Sequence, residues 1–196
     1  MTKLKQTPSQ TVGPYFAYGL CPQQYGFDMT SLFTPSVATL DAAGEHITII
    51  GNVYDGEGQP VGDAMVETLQ ANAQGQYIES VAQAKETGFS GFARVGTGTD
   101  PEQRFIIETI KPGRIDEQSA PHIDAIIMMR GMLLHCYTRI YFEDEAAANA
   151  LDPVLSAVPA ERRDTLLARR LPNTSKPIYR FDVRLQGAQE TVFFDV

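Results

Sequence analysis

Ile47-Thr48-Ile49-Ile50-Gly51-Asn52-Val53-Tyr54-Asp55 is rich in β-branched residues and runs straight into the turn Gly56-Glu57-Gly58-Gln59-Pro60. β-Branched side chains suit a pleated, half-buried surface, and Gly and Pro interrupt it. The same unit recurs along the chain. Ala64 to Gln70 is ended by Asn72 to Gly75, and Gln76 to Ser80 and Phe89 to Val95 are shorter candidates. Gln103 to Ile110 alternates well and stops at Lys111-Pro112-Gly113. His122 to Arg130 and Met132 to Phe142 read as two long strands broken at Gly131. Ile178 to Gln186 and Glu190 to Asp195 flank Gly187 and read as a hairpin. Many short strands separated by turn signals predict a mainly β fold, an antiparallel β-sandwich. Helix is expected only near residues 144–171, where Asp144-Glu145-Ala146-Ala147-Ala148 opens with acids and Pro153 and Pro159 suit first-turn positions. Residues 1–45 lack periodicity and read as an extended arm with a turn at Gly13-Pro14; residues 46–196 read as one domain.

The chain has 196 residues, of which 43% are hydrophobic and 20% charged, and its formal net charge is -8. That balance argues against nucleic acid or anionic membrane as a partner, since both require a positive footprint. Cys21 and Cys136 are the only cysteines, which excludes a disulfide scaffold and any Cys₄ metal site. No apolar run approaches the ~18 residues of a membrane span. Met1 to Pro8 has two lysines and no apolar core, so no signal peptide and a reduced, cytoplasmic setting are expected. The aromatics Tyr15, Phe16 and Tyr18 must pack either on this chain's own core or on a partner.

Three histidines bound every metal hypothesis: His46, His122 and His135. Residues two apart on a strand share a face, so His122 and Asp124 point the same way. Such a pair suits either a metal or a His–carboxylate contact in a polar pocket. His135 reads as a satisfied, non-ligand side chain, and His46, in a Gly44-Glu45 turn, as exposed. There is no Gly-x-Ser-x-Gly elbow, phosphate loop or His-Glu-x-x-His helix.

Pro60 to Tyr77 (PVGDAMVETLQANAQGQY) resembles a segment of the intradiol ring-cleavage dioxygenases, with Leu69 where tryptophan is usual. Gly91 to Arg94, Thr109 to Gly113, Ala120 to Ile123 and Thr138 to Phe142 match the same family in order. Thr7 to Tyr15, Arg139 to Ala150 and Gly187 to Asp195 extend the resemblance over nearly the whole chain. The family holds non-haem Fe(III) with two tyrosinates and two histidines. Here Ile115 stands where one tyrosine is expected, Asp124 where the second histidine is expected, and Ile78 to Gly91 contains no tyrosine. The resemblance therefore implies a vestigial metal site at His122, Asp124 and Ile115, with no metal and no catalytic residue in this chain.

On that reading the chain is the iron-free alpha subunit of a hetero-oligomer, and Fe(III) sits in a homologous beta chain. The assembly would open 3,4-dihydroxybenzoate with O₂ to give 3-carboxy-cis,cis-muconate. Thr11, Gly13, Pro14, Tyr15 and Arg130 match family positions that line the partner's active-site mouth. A planar, always-charged guanidinium at Arg130 suits an anionic aromatic carboxylate. Two rival readings are a stand-alone metal-dependent enzyme using His122 and Asp124, and a transthyretin-like binding module without catalysis.

Overall fold

A computed structural model describes residues 5–196; the first four residues of the expected arm lie outside it. Nine strands are present among the described residues: β1 His46–Tyr54, β2 Met65–Gln70, β3 Phe92–Gly96, β4 Arg104–Ile110, β5 His122–Met128, β6 Cys136–Phe142, β7 Leu167–Arg170, β8 Ile178–Arg180 and β9 Val183–Arg184. They form one sheet in the order β3-β2-β5-β6-β7-β8-β1-β4, with β9 also on β1. The sheet folds over so that β3 and β4, at its two ends, approach each other. Alternation drives this closure. Ile47, Ile49 and Val53 of β1 point inward, and so do Phe105 and Ile107 of β4 and Ile123, Ala125 and Ile127 of β5, all in one core.

The mainly β expectation holds, but the pairing is mixed rather than antiparallel. β6 pairs with β7, and β1 with β8 and with β9, in parallel. A parallel neighbour needs a crossover of a dozen or more residues, and segment 143–166 supplies it between β6 and β7. That segment is not one helix. It breaks into 3₁₀ turns at Glu143–Glu145 and Ala160–Leu166 and two short helices, Ala146–Asn149 and Pro153–Ala157, punctuated by Pro153 and Pro159. Residues 167–170, expected helical, are β7, because the chain has returned to the sheet edge.

Two short helices went unpredicted: Phe16–Leu20 and Val81–Thr87. The second carried a legible signal. Ser80 accepts from Gln83 N, Gln83 Oε1 accepts from Glu79 N, and Gly88 ends the helix at φ 67. The Gln76 to Ser80 strand does not form, and only Phe92–Gly96 of the next candidate joins the sheet. The expected C-terminal hairpin is reduced to a loop. Thr191 N bonds Arg184 O across Gly187, and the tail then leaves to pair Phe194 with Tyr137 of β6. The turn at Gly13-Pro14 is present, with Phe16 N bonded to Gly13 O at 3.1 Å. The arm's aromatics divide. Phe16 packs against the small cluster of Ala17, Cys21 and Met65, while Tyr15 is 75% exposed with its ring 5.8 Å from Tyr18.

Candidate functional site

His122 and Asp124 lie on the outward face of β5, as their spacing requires, but they are not each other's principal partners. His122 is buried, and its Nδ1 sits 2.8 Å from Ala120 O. A carbonyl oxygen only accepts, so Nδ1 donates there. Nε2 is left buried without a hydrogen-bond partner, 3.9 Å from Asp124 Oδ1. The expectation that His122 partners Asp124 is corrected by the register. Asp124 stands opposite Arg139 of β6, and Arg139 Nε donates to Asp124 Oδ1 at 3.0 Å.

The pair belongs to a longer polar chain. Burial alone would lower the pKa of Arg139, but the Tyr141 hydroxyl and the Asp124 carboxylate outweigh it and push it up. Burial is also the main force on Tyr141, whose phenol is pushed up to about 12. Tyr141 donates to Asp152 Oδ1 at 3.1 Å. Asp152 is buried and also accepts from Leu155 N at 2.8 Å, capping the Pro153–Ala157 helix, and from Ala120 N at 2.9 Å. Tyr77 is pushed up as well, by burial and then by the Asp124 charge. Ile115 is 39% exposed and sits near Gly75, in the segment after β4.

These donors do not fit a ferric ion. Fe(III) in the family that the sequence resembles calls for hard anionic oxygens, yet the carboxylate of Asp124 is spent on a guanidinium and Ile115 offers no donor where a tyrosine is expected. Among the described residues no three His, Cys, Asp or Glu side chains converge as a metal site. The stand-alone metal reading of His122 and Asp124 loses its second ligand to Arg139 in the same way. Beside this chain the outward sheet face carries a cavity of about 500 Å³, walled by Leu69, Phe92, Ile126 and Phe194 with Asp124 and Arg139 in its lining.

The two other histidines differ. His135 is exposed and hydrogen-bonded as expected, with Nε2 2.6 Å from the Tyr137 hydroxyl. His46 is half-buried rather than exposed, because it opens β1 and its Nε2 lies 3.0 Å from Ala42 O.

At the other end of β5 the arm meets the β5–β6 loop. Thr11 Oγ1 accepts from Gly131 N at 2.8 Å, and Arg130 Nε lies 2.8 Å from Asp63 Oδ2. Thr11 and Arg130 are thus brought together, and Gly13 and Pro14 follow in the turn that leads to the exposed Tyr15. Sequence reasoning named Thr11 and Arg130 but missed Asp63, Arg139, Tyr141 and Asp152. Only strand register, or a cap seen in place, assigns their partners.

The phenols make one consequence measurable. Tyr179 is also pushed up to about 12, first by burial and then by its hydroxyl's bond to Asp144 Oδ2 at 2.7 Å. A tyrosine raised above its unfolded value of ~10 stays protonated in the fold while the unfolded chain ionises. Its contribution is therefore complete below pH ~10 and is lost as pH climbs toward about 12. Spectrophotometric titration should show tyrosinates that form late, Tyr141 and Tyr179 among them, with stability falling across that window. Full ionisation of every tyrosine near pH ~10 in the folded chain would refute this.

The sequence profile of the family described as Dioxygenase matches residues 13–187. The chain is 61% identical over 197 residues to the protocatechuate 3,4-dioxygenase alpha chain of Burkholderia cepacia, covering all of both chains. It is 32% identical over 161 residues to the protocatechuate 3,4-dioxygenase beta chain of the same organism, covering 76% of this chain and 67% of that one. The fold matches an intradiol ring-cleavage dioxygenase from Tetranychus urticae with a TM-score of 0.61 and 14% identity, covering 81% of this chain and 88% of that one. The profile match over most of the chain, the full-length relative and the shared fold together place it: this chain belongs to the intradiol ring-cleavage dioxygenase family.

Proposed function

We propose that this chain is the alpha subunit of a protocatechuate 3,4-dioxygenase, joined to a homologous beta chain that holds the Fe(III). The Asp124–Arg139 ion pair carries the reading of this subunit as iron-free, because it commits the expected ligand position to a cation. Full-length similarity to a named alpha chain and partial similarity to a beta chain support the two-chain assembly. Iron held by the partner's residues would supply Lewis-acid activation of the catechol toward O₂. This chain's own residues work at the mouth. Arg130 presents positive charge to the substrate carboxylate, and the segment from Thr11 to Tyr15 shapes the entrance. The substrate is a small aromatic acid, neither nucleic acid nor membrane is a partner, and the setting is cytoplasmic; no helix among the described residues is long and apolar enough to cross a membrane.

Expressed alone, the chain should bind no stoichiometric Fe(III) and show no tyrosinate-to-iron absorption. Co-expressed with the beta homologue, it should purify as an iron-bearing hetero-oligomer. Metal analysis and visible spectroscopy decide it; a coloured, iron-loaded preparation of this chain alone would overturn the assignment of iron to the partner.

A further inference from the structure

We infer that Asp63 is a positioning residue for Arg130, fixing its guanidinium at the mouth of the partner's active site before substrate arrives. The inference rests on the reading of Arg130 above and deepens it. Met65 of β2 stands opposite Met128 of β5 in antiparallel register. Two residues further along each strand, the same register sets Asp63 against Arg130. Asp63 lies in the turn before β2, and its Oδ2 is buried and accepts no aligned hydrogen bond. Its compensation is the charge of Arg130, whose Nε is 2.8 Å away. The Arg130 side chain is otherwise 61% exposed, and its terminal nitrogens make no hydrogen bond among the described residues. One edge of the guanidinium is held and the other is open to a carboxylate.

The next residue is pinned too. Gly131, at φ 96, gives its N–H to Thr11 Oγ1 of the arm. The left-handed backbone there is open to glycine at no steric cost, so the loop turns sharply just beyond Arg130. Arm, loop and guanidinium are thereby set in one frame by two contacts of 2.8 Å each. Arginine carries much rotamer freedom, and an anion that binds a loose arginine must first suppress it. Asp63 has done so in advance. Its own negative charge opposes the substrate's, but that opposition is weakened by the solvent around the Arg130 side chain, which is 61% exposed. Positioning and screening thus predict opposite signs when the carboxylate is removed.

The test uses the assembled, iron-loaded alpha–beta complex with Asp63→Ala, Asp63→Asn, Arg130→Ala and the Asp63→Asn/Arg130→Ala double variant. Steady-state kinetics are taken with protocatechuate and with catechol, which lacks the carboxylate. Positioning predicts that Asp63→Ala raises KM for protocatechuate about three- to tenfold, with kcat held and catechol unaffected. Asp63→Asn keeps an acceptor oxygen and should restore part of that loss. In the Arg130→Ala background, Asp63→Asn should add nothing, since the group it positions is gone. A fall in KM for Asp63→Ala would make Asp63 a screening charge and overturn the inference. So would an unchanged KM alongside a carboxylate-selective Arg130→Ala. If Arg130→Ala itself shows no selectivity, the reading of Arg130 falls and the inference with it, an outcome distinct from the other two.

Discussion

Arg130→Ala in the reconstituted complex is expected to raise the KM for protocatechuate by roughly ten- to a hundredfold while iron content stays intact. A hydrogen bond to a charged group contributes about 1.5–3 kcal/mol, and each ~1.4 kcal/mol is tenfold in affinity. On the proposed assembly the iron ligands belong to the partner, so metal loading has no reason to fall. The side chain is 61% exposed here, with its outward nitrogens uncommitted, which is the state of a group awaiting an anion. The control is catechol, whose KM should barely move. Equal losses for both substrates, or none for either, would show that Arg130 does not read the carboxylate. The same substitution carries a second cost. It leaves the buried Oδ2 of Asp63 without its countercharge, so the variant should also unfold earlier than wild type. Asp63→Asn/Arg130→Ala removes that stranded charge and should recover the stability but not the KM, separating the two effects.

The largest stability effect is expected at Asp152. Asp152→Ala deletes the acceptor for three donors at once: Tyr141 hydroxyl, Leu155 N and Ala120 N. The carboxylate is 1% exposed, so no water replaces it easily. A lost helix cap costs ~1 kcal/mol, and each buried donor left unsatisfied ~1–3 kcal/mol. The sum, about 3–7 kcal/mol, corresponds to a fall in Tm of roughly 6–28 °C for a chain of this size. Asp152→Asn keeps an acceptor oxygen and should lose less, and Tyr141→Phe, which removes a single bond, less again. Thermal unfolding followed by circular dichroism measures all three. A shift below ~2 °C for Asp152→Ala would mean that this corner repacks freely and that the cap does not hold the crossover.

The order of those effects reflects what Asp152 joins. It sits at the start of the Pro153–Ala157 helix, yet it binds the β5 approach through Ala120 and the β6 face through Tyr141. Ala120 O in turn takes the Nδ1 proton of His122. The position proposed as a vestigial metal site is therefore held by hydrogen bonds and an ion pair.

Much of this was legible in the chain itself. The β-rich class followed from alternation and turn residues, because a strand with one buried face must repeat every second residue. The family followed from motifs in order, and reading Ile115 and Asp124 against them is what motivates the proposal of a site without ligands. His122 and Asp124 share a face because their spacing demands it. Even the helix at Val81–Thr87 was announced by Ser80 and Gln83, a cap hidden by its neighbours' resemblance to a strand. Pairing across the fold was not legible. The partner of Asp124 is Arg139, fifteen residues on, and that of Arg130 is Asp63, far upstream. Parallel pairing of β6 with β7 likewise waits on where the 143–166 crossover lands. Local sequence sets which way a side chain faces. Which charge it meets there is set by strand register and crossover geometry, and these arise only when distant segments close on one core.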